Sequence, residues 1–419
     1  MEKYNFIDLF AGAGGLSEGF IKKGFQSLAY VEVDKYACET LKTREIYHFL
    51  KKTNSLELYE KYLKQKITKE EFYELVPKKV FDKVFCDEIS DETVESLFIK
   101  IKNLKEFKQK GEVDIIIGGP PCQAYSLIGR ARDPESKKKD PRNHLYKQYF
   151  KFLHEFKPKM FVFENVPGIL TAGKGKYFKD MKKLFSKLYY IEAKPINAVD
   201  FGVLQNRKRI IVVGWRKDLK NLSYPQLVQE KIDANVWDIL TDLPHLKAGS
   251  GKTWCEYGSR PSSYLSNSGI RNENWNILTD HVARPHNEHD LKIYKKTILK
   301  WNKDSIRFKY TDLPEKQRTH KNIKSFLDRF KVVAGNLPSS HTMVAHISKD
   351  GHHYIHPDVK QLRSLTVREA ARIQSFPDDY YFEGPRTAKF IQIGNAVPVL
   401  LGEKIAEGIK KQLLNINKN

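Results

Sequence analysis

Apolar runs that each end in glycine or a polar side chain, with helical patterns between them, constrain this chain more than any other feature. Residues 4–10, YNFIDLF, stop at the glycine-rich turn AGAGG (11–15) and continue into SEGFIKKGF, which has helical spacing. Further runs are SLAYVEVD (27–34), ending on Glu32 and Asp34, DIIIGG (114–119), ending on glycines, and KMFVFENV (159–166), ending on an acid and an amide. Strands alternating with helices predict an α/β, doubly wound parallel sheet. Ligands of such sheets bind beyond the carboxyl ends of the strands, where this chain carries its glycines and acids.

The chain has 419 residues, 73 Lys+Arg against 51 Asp+Glu, and a formal charge of +22. A field of that sign attracts polyanions, nucleic acid first among them. At 40% hydrophobic and 30% charged residues, the composition excludes a disordered tail protein. No run approaches eighteen apolar residues, so a membrane span is not expected. Cys38, Cys86, Cys122 and Cys255 are too scattered for a disulfide framework. A reducing compartment, the cytosol, is expected.

RIIVVGW (209–215) reads as the last strand of the first unit. Residues 216–362 are rich in turn formers and hold ten of the thirteen histidines. Within them, 292–331 carries thirteen Lys/Arg against four Asp/Glu, a basic face. Helical pattern returns at 366–376 and at 392–413, and the charged helical stretch 44–83 reads as an insertion.

Chemistry gathers at the strand ends. A glycine turn between strand and helix lets backbone approach a ligand, and the order GxGG differs from the dinucleotide GxGxxG. With Glu32 positioned to hold ribose hydroxyls, a nucleoside-containing cofactor is favoured; Phe10 either stacks on its base or is a core aromatic. In GGPPCQAYS (118–126), two prolines fix the backbone before Cys122 and present a thiolate toward a cleft. The polar, basic tract 127–144 has the character of a lid. Glu164 closes the next strand, where an acid can donate to a ring nitrogen or merely cap a helix. Arg207 and Arg209, in QNRKR, could fork onto a carbonyl or carboxylate or make an ordinary surface ion pair.

Six blocks, FIDLFAGAGGLSEGF, GGPPCQAYSLIGR, FVFENVPGIL, NAVDFGVLQNRKRIIVVGW, RSLTVREAARIQSFPDDY and QIGNAVPVLLGEKIA, make the chain resemble the cytosine-5 DNA methyltransferases of bacterial restriction-modification systems. The resemblance implies a Rossmann-like, S-adenosylmethionine-dependent methyltransferase domain at 1–215, completed by 393–419. It implies a smaller target-recognition domain and return segment at 216–392. Cys122 would attack carbon 6 of a flipped cytosine, Glu164 would hold ring nitrogen 3, and Arg209, with Arg207 nearby, the exocyclic oxygen. The cofactor would meet Phe10, Ala11, Gly12, Gly14, Gly15 and Leu16, with Glu32 and Val33 at its ribose end. Asp87 or Glu88 would make a third contact, depending on a one-residue gap. Pro120, Leu145, Asn395, Ala396 and Val397 would close that pocket. Duplex DNA would meet Gln123, Ser126, Ile128, Gly129 and Arg130 of the lid, and Thr342 of the recognition segment 339–358.

A monomer in the bacterial cytosol is expected, and a cognate restriction endonuclease acting on the same site is compatible with the resemblance. An RNA (tRNA) cytosine-5 methyltransferase and a non-catalytic DNA-binding relative are the alternatives. The histidines His281, His286, His289, His346, His352, His353 and His356 lack any supporting cysteine spacing, and no metal is expected.

Overall fold

The computed structural model describes residues 4–121, 144–319 and 322–416. Its first half runs β1 (Asn5–Leu9), α1 (Gly15–Lys22), β2 (Gln26–Glu32), α2 (Lys35–Lys52), α3 (Leu56–Leu63), α4 (Lys69–Glu74), β3 (Val84–Cys86), α5 (Val94–Asn103), α6 (Lys105–Lys110) and β4 (Ile115–Gly118). After the 122–143 segment come α7 (Leu145–Phe156), β5 (Met160–Asn165), α8 (Lys176–Phe185), β6 (Tyr189–Asn197) and β7 (Lys208–Arg216). Among the described residues these strands form one sheet in the order β3-β2-β1-β4-β5-β7-β6.

Successive strand residues face opposite sides, and here both sides are covered. Ile7, Leu9, Ile116, Phe161, Phe163 and Val212 enter one apolar cluster, while Phe6, Ile115, Ile117, Met160, Val162 and Val213 enter the other. This is why the strands read as continuous apolar runs rather than alternating ones. The doubly wound α/β fold is present, with one difference from an all-parallel sheet: β7 runs antiparallel to both β5 and β6. Residues 198–207, which join β6 to β7, contain only one short 3-10 turn, too little for the crossover that a parallel pair requires.

Beyond β7, regular structure is sparse: β8 (Trp254–Cys255), α9 (Ser263–Asn267), β9 (Leu278–Thr279), α10 (Glu288–Asp304) and α11 (Ile323–Phe326). The chain then forms α12 (Val367–Ile373), α13 (Arg386–Asn395) and α14 (Val399–Ile416). The expected 392–413 helix is thus divided at Ala396, Val397 and Pro398, because Pro398 supplies no N–H to continue α13. α14 lies on α1 at glycine contacts: a Cβ on Gly19 would sit 2.4 Å from the Gly402 and Glu403 backbone.

The stretch 44–83 is not a simple insertion. Its first nine residues complete α2 and are largely built into the core. Arg44 forks onto Glu18 of α1 (Nη2–Oε1 2.6 Å) and reaches Asp379 Oδ1 at 2.9 Å. Against the penalty of burial, Arg44 and His48 hold the Glu18 carboxyl well below the usual carboxylate range. Tyr59, Leu63, Phe72 and Val76 pack with Tyr47, Trp275 and Ile277, tying this helical layer to the middle of the chain.

A second ion-pair network is buried around α12. Arg372 meets Asp378 (2.6 Å) and Asp242 (2.5 Å), and Arg271 pairs with the same Asp242. Arg363 forks onto Glu369 with both bonds at 2.7 Å. Despite burial, Arg363 and His356 hold the Glu369 carboxyl below its ordinary range.

Burial, first among the causes, pushes the imidazoles of His281, His341, His353 and His356 down, that of His356 to about 3. An unfolded histidine titrates near about 6.5, so between these values the unfolded chain binds more protons and stability is lost as pH falls. His356→Gln should therefore flatten the fall in urea stability between about pH 6 and about pH 4.5, by about 1.4 kcal/mol per pH unit. Parallel slopes in the two proteins would mean that His356 is not a source of acid sensitivity.

Candidate active site

The carboxyl end of β1 turns sharply. Phe10 has φ +55°, a conformation a bulky side chain adopts only under local constraint, and Gly12 (φ +54°) and Gly14 (φ +76°) continue the turn into α1. Gly14 caps α1 without a side-chain cap bond and packs against Leu41 and Tyr380, whereas a Cβ on Gly12 would meet nothing within 4 Å, so the turn is open at Gly12. Gly15 cannot be larger: its Cβ would lie 2.1 Å from the Val397 carbonyl oxygen. Tyr380 Oη donates to the Ala13 carbonyl at 2.5 Å, bracing the turn. Leu16 is buried, and Phe10 and Ala11 are half-buried.

Glu32, at the end of β2, faces this turn. Its Oε2 accepts from Gly12 N at 2.7 Å, and its Oε1 accepts from Val33 N (2.9 Å) and Asp34 N (2.8 Å). A carboxylate offers about four acceptor positions, so Glu32 retains capacity for a hydroxyl donor. Burial pushes its carboxyl up, while the three N–H bonds pull the other way. Val33 is 64% exposed, an apolar surface beside that carboxylate which a flat base would cover. Asp87 is ion-paired to Lys100 at 2.8 Å and half-buried, while Glu88 is exposed and its carbonyl accepts from Thr93. Both follow β3, two strands from the glycine turn.

One acid of this region has no counterpart among the residues expected from sequence. Asp8 lies in β1, buried, and its Oδ2 has no hydrogen-bond partner among the described residues. Burial pushes its carboxyl well up, with the Ser17 hydroxyl opposing and the Glu32 charge adding to the rise. Its one signal in the sequence is a charged residue inside the otherwise apolar run FIDLF. The unsatisfied Oδ2 of Asp8, beside Glu32 and the glycine turn, suits a ligand that brings a polar group.

The second half of the site lies at the ends of β4, β5 and β7. Glu164 of β5 pairs with Arg209 of β7 (Oε1–Nε 2.6 Å), both side chains nearly buried at 12% and 11% exposure. Arg209 also donates to the Lys208 carbonyl at 2.8 Å, which fixes its guanidinium. Glu164 hangs over the β4 turn: a Cβ on Gly119 would come within 2.8 Å of Glu164 Oε2. Asn165 Nδ2 donates to the Pro120 carbonyl at 3.3 Å and holds that turn to β5. Cys122, Gln123, Ser126, Ile128, Gly129 and Arg130 follow directly and lie outside the described residues. Leu145, half-buried, opens α7 on the far side of that segment.

Arg207 is placed differently from Arg209. It is buried, and its Nη1 and Nη2 donate to the carbonyls of Met343 (2.6 Å) and Gly394 (3.2 Å). The fork onto carbonyls is real, but it clamps two returning segments and does not join Glu164. Of the two arginines expected at the reacting base, Arg209 meets Glu164 and Arg207 is turned to the two carbonyls. Strand alternation would put positions 207 and 209 on one face, but β7 begins only at Lys208, so Arg207 belongs to the preceding loop and turns away.

Gln205, which the sequence does not single out, extends the clamp. It accepts from Met343 N at 2.8 Å and donates to Gln374 Oε1 at 2.8 Å, and Gln374 in turn donates to the carbonyls of Ile393 and Ala396. Ser340 exchanges backbone bonds with Leu204 and Asn206, and Thr342 Oγ1 donates to the Asn206 carbonyl at 2.6 Å. Thr342 is thus fixed to a residue three positions before Arg209. Asn395 is exposed at the end of α13, and Ala396 and Val397 are buried against the glycine turn.

Among the described residues no helix is long and apolar enough to cross a membrane. A family model of C-5 cytosine-specific DNA methylases matches residues 4–72 and 49–411. The chain is 45% identical to the type II methyltransferase M.Bpa9945I of Bacillus paralicheniformis, over 96% of this chain and 98% of that protein. It is 31% identical to the type II methyltransferase M1.HphI of Haemophilus parahaemolyticus, over 98% and 87% respectively. Of the solved structures, a putative DNA modification methyltransferase encoded within an Escherichia coli prophage matches with TM-score 0.66 and 25% identity, covering 98% of this chain and all of that one. Dnmt2 of S. pombe shares the fold at TM-score 0.53 and 13% identity, over 99% and 100% of the two chains. With this match running through the glycine turn, the Glu164–Arg209 pair and α14, the chain belongs to the C-5 cytosine-specific DNA methylase family, enzymes that methylate cytosine in DNA at carbon 5.

Proposed function

We propose that the chain methylates carbon 5 of one flipped-out cytosine within a specific duplex DNA sequence, as the modification half of a type II system in the bacterial cytosol. The Glu164–Arg209 pair, held over the turn that leads into Cys122, is the observation that carries this reading. The cofactor of this reading is S-adenosylmethionine. Its fit rests on the glycine turn, open at Gly12, the remaining acceptor capacity of Glu32, the exposed Val33 and the unsatisfied Oδ2 of Asp8. Phe10, Gly12, Glu32, Val33, Asp87 and Asn395 would hold it, and bound there it supplies an electrophilic methyl group.

Carbon 5 of an aromatic pyrimidine is too poor a nucleophile to take a methyl group unaided. Addition of the Cys122 thiolate to carbon 6 breaks the 5,6 double bond and pushes its electron pair through the ring toward nitrogen 3. Glu164 holds a proton at nitrogen 3 and so accommodates that charge, while Arg209 holds the exocyclic oxygen and orients Glu164. Carbon 5 is then an enamine carbon and reacts with the methyl donor. Removal of the carbon 5 proton by a base restores the double bond and expels the thiolate. The near-burial of the pair excludes water and strengthens these polar contacts.

Flipping costs a few kcal/mol, which contacts to the flipped base and to the lid Gln123–Arg130 offset. Thr342, fixed beside the segment that carries Arg209, would approach the bases. On α10, Lys292, Lys295, Lys296 and Lys303 are exposed and form a surface suited to phosphates.

The reading is tested by chemical-deamination sequencing of unmethylated DNA after incubation with the protein and S-adenosylmethionine. Protection of cytosines in one recurring short sequence is expected, and its loss in Cys122→Ser with DNA binding retained. Uniform deamination, or preferential methylation of tRNA, would overturn it.

Glu164→Gln keeps the shape of the site and should lower kcat by about 10²–10⁴-fold in protein that is still folded at the assay temperature. Arg207→Ala should instead lower stability, by about 1–3 kcal/mol for each carbonyl left unmet. Interchanged phenotypes would reverse the roles given to the two residues. Replacing Lys292, Lys295, Lys296 and Lys303 by Gln should reduce the slope of log affinity against log salt, by about 0.9 for each phosphate no longer neutralised. An unchanged slope would place DNA elsewhere.

A further inference from the structure

The histidines of the 216–362 segment are not evenly dispersed in space. His286 directly precedes Asn287, the residue that caps α10, and Asp290 lies in the first turn of that helix. His352 arrives from the other side on a turn at Asp350 and Gly351, the latter at φ +75°. One donor atom each of His286, Asp290 and His352 lie within 4.8 Å of one another. His352 Nε2 stands 3.9 Å from Asp290 Oδ1 and 3.9 Å from Asp350 Oδ2. Those distances exceed a hydrogen bond, yet two carboxylates converge on one imidazole nitrogen.

Donors around a tetrahedral zinc at about 2.1 Å are about 3.4 Å from one another, so modest side-chain rotation closes this set around an ion. The ring of His352 is already oriented for the task. Its Nδ1 lies 2.7 Å from Tyr294 Oη, which leaves Nε2 facing the carboxylates. His286 is held by Ser364 Oγ at 3.0 Å and by Tyr294 Oη at 3.4 Å, so one of these bonds must yield to a metal. Asp350 also meets Arg329 at 3.2 Å. Mixed imidazole and carboxylate donors suit a divalent borderline cation such as zinc better than calcium or magnesium.

We propose that His286, Asp290 and His352 form a zinc site of three protein donors, with water in the fourth position. Such a site would fasten the start of the lysine-bearing α10 to the 350–352 turn and hold two separate stretches of the 216–362 segment in register. It revises the expectation, drawn from the absence of cysteine spacing, that this segment carries no metal: the ligands are spread over 67 positions and meet only in the fold. The proposal stands independently of the methylation reading.

The test uses tag-free full-length protein, freed of metal by a chelator and then dialysed against zinc. One zinc per chain is expected by elemental mass spectrometry, lost in His286→Gln/His352→Gln. Cobalt in place of zinc should give the visible absorption of a tetrahedral nitrogen and oxygen site, a measurement that needs no variant. Tyr294→Phe, which removes only the orienting hydroxyl, should weaken zinc binding by about 10–100-fold. No zinc retained by the wild-type chain, full retention in the double variant, or a thiolate-to-cobalt charge-transfer band that assigns the metal to cysteine would each overturn the proposal.

Discussion

The contact on which this molecule depends is the close approach of α14 to α1. Gly15 and Gly19 on one side, and the Val397 carbonyl and Gly402 on the other, meet at distances that leave no room for a Cβ. That approach brings residues nearly four hundred positions apart into one wall and makes the glycine turn a joint product of both ends of the chain. Packing of this tightness tolerates little change in volume, since inserted atoms must displace backbone. The turn is therefore rigid where a ligand needs it rigid, and Phe10 is kept at φ +55° by its surroundings.

From that wall, order passes to the chemistry through polar links. Gln374 holds the α13–α14 junction by its carbonyls, Gln205 holds Gln374, and Gln205 with Arg207 also fixes Met343. Two residues further along the chain, Arg209 pairs with Glu164. One short segment, 205–209, thus joins the returning C-terminus, the 340–343 stretch and the acid over the β4 turn. In a medium of low dielectric constant such bonds are strong when complete and costly when broken, which favours one geometry over a family of related ones. The buried arginines Arg44, Arg368 and Arg372 act similarly around α12 and the 377–383 loop.

Much of this is legible in the sequence because it is local. The glycine turn, the acids at strand ends and the arginines around the start of β7 follow from residue type and spacing along single elements. Glu32 and Glu164 lie where the pattern places them, at the ends of β2 and β5. Arg207 departs from expectation because two arginines two positions apart look equivalent in a sequence, whereas their partners, Met343 and Gly394 for one and Glu164 for the other, come from distant segments. Asp8 goes unmarked because a single acid in an apolar run has no local signature beyond itself. The reversal of β7 and the break at Pro398 are hidden for a different reason: apolar periodicity outweighs loop content and a single proline.

The sequence by itself determined the α/β alternation, the glycine turn, the basic middle segment and the order of the chemical groups, because these depend on side-chain periodicity and backbone freedom over short spans. Tertiary structure alone decided which groups meet: Glu164 with Arg209, Gln205 with Gln374, and His286 with Asp290 and His352. The physical reason is that hydrogen bonds and ion pairs act over a few ångströms. Which side chains come that close is fixed by the packing of the whole chain, and no pattern along any one segment encodes it.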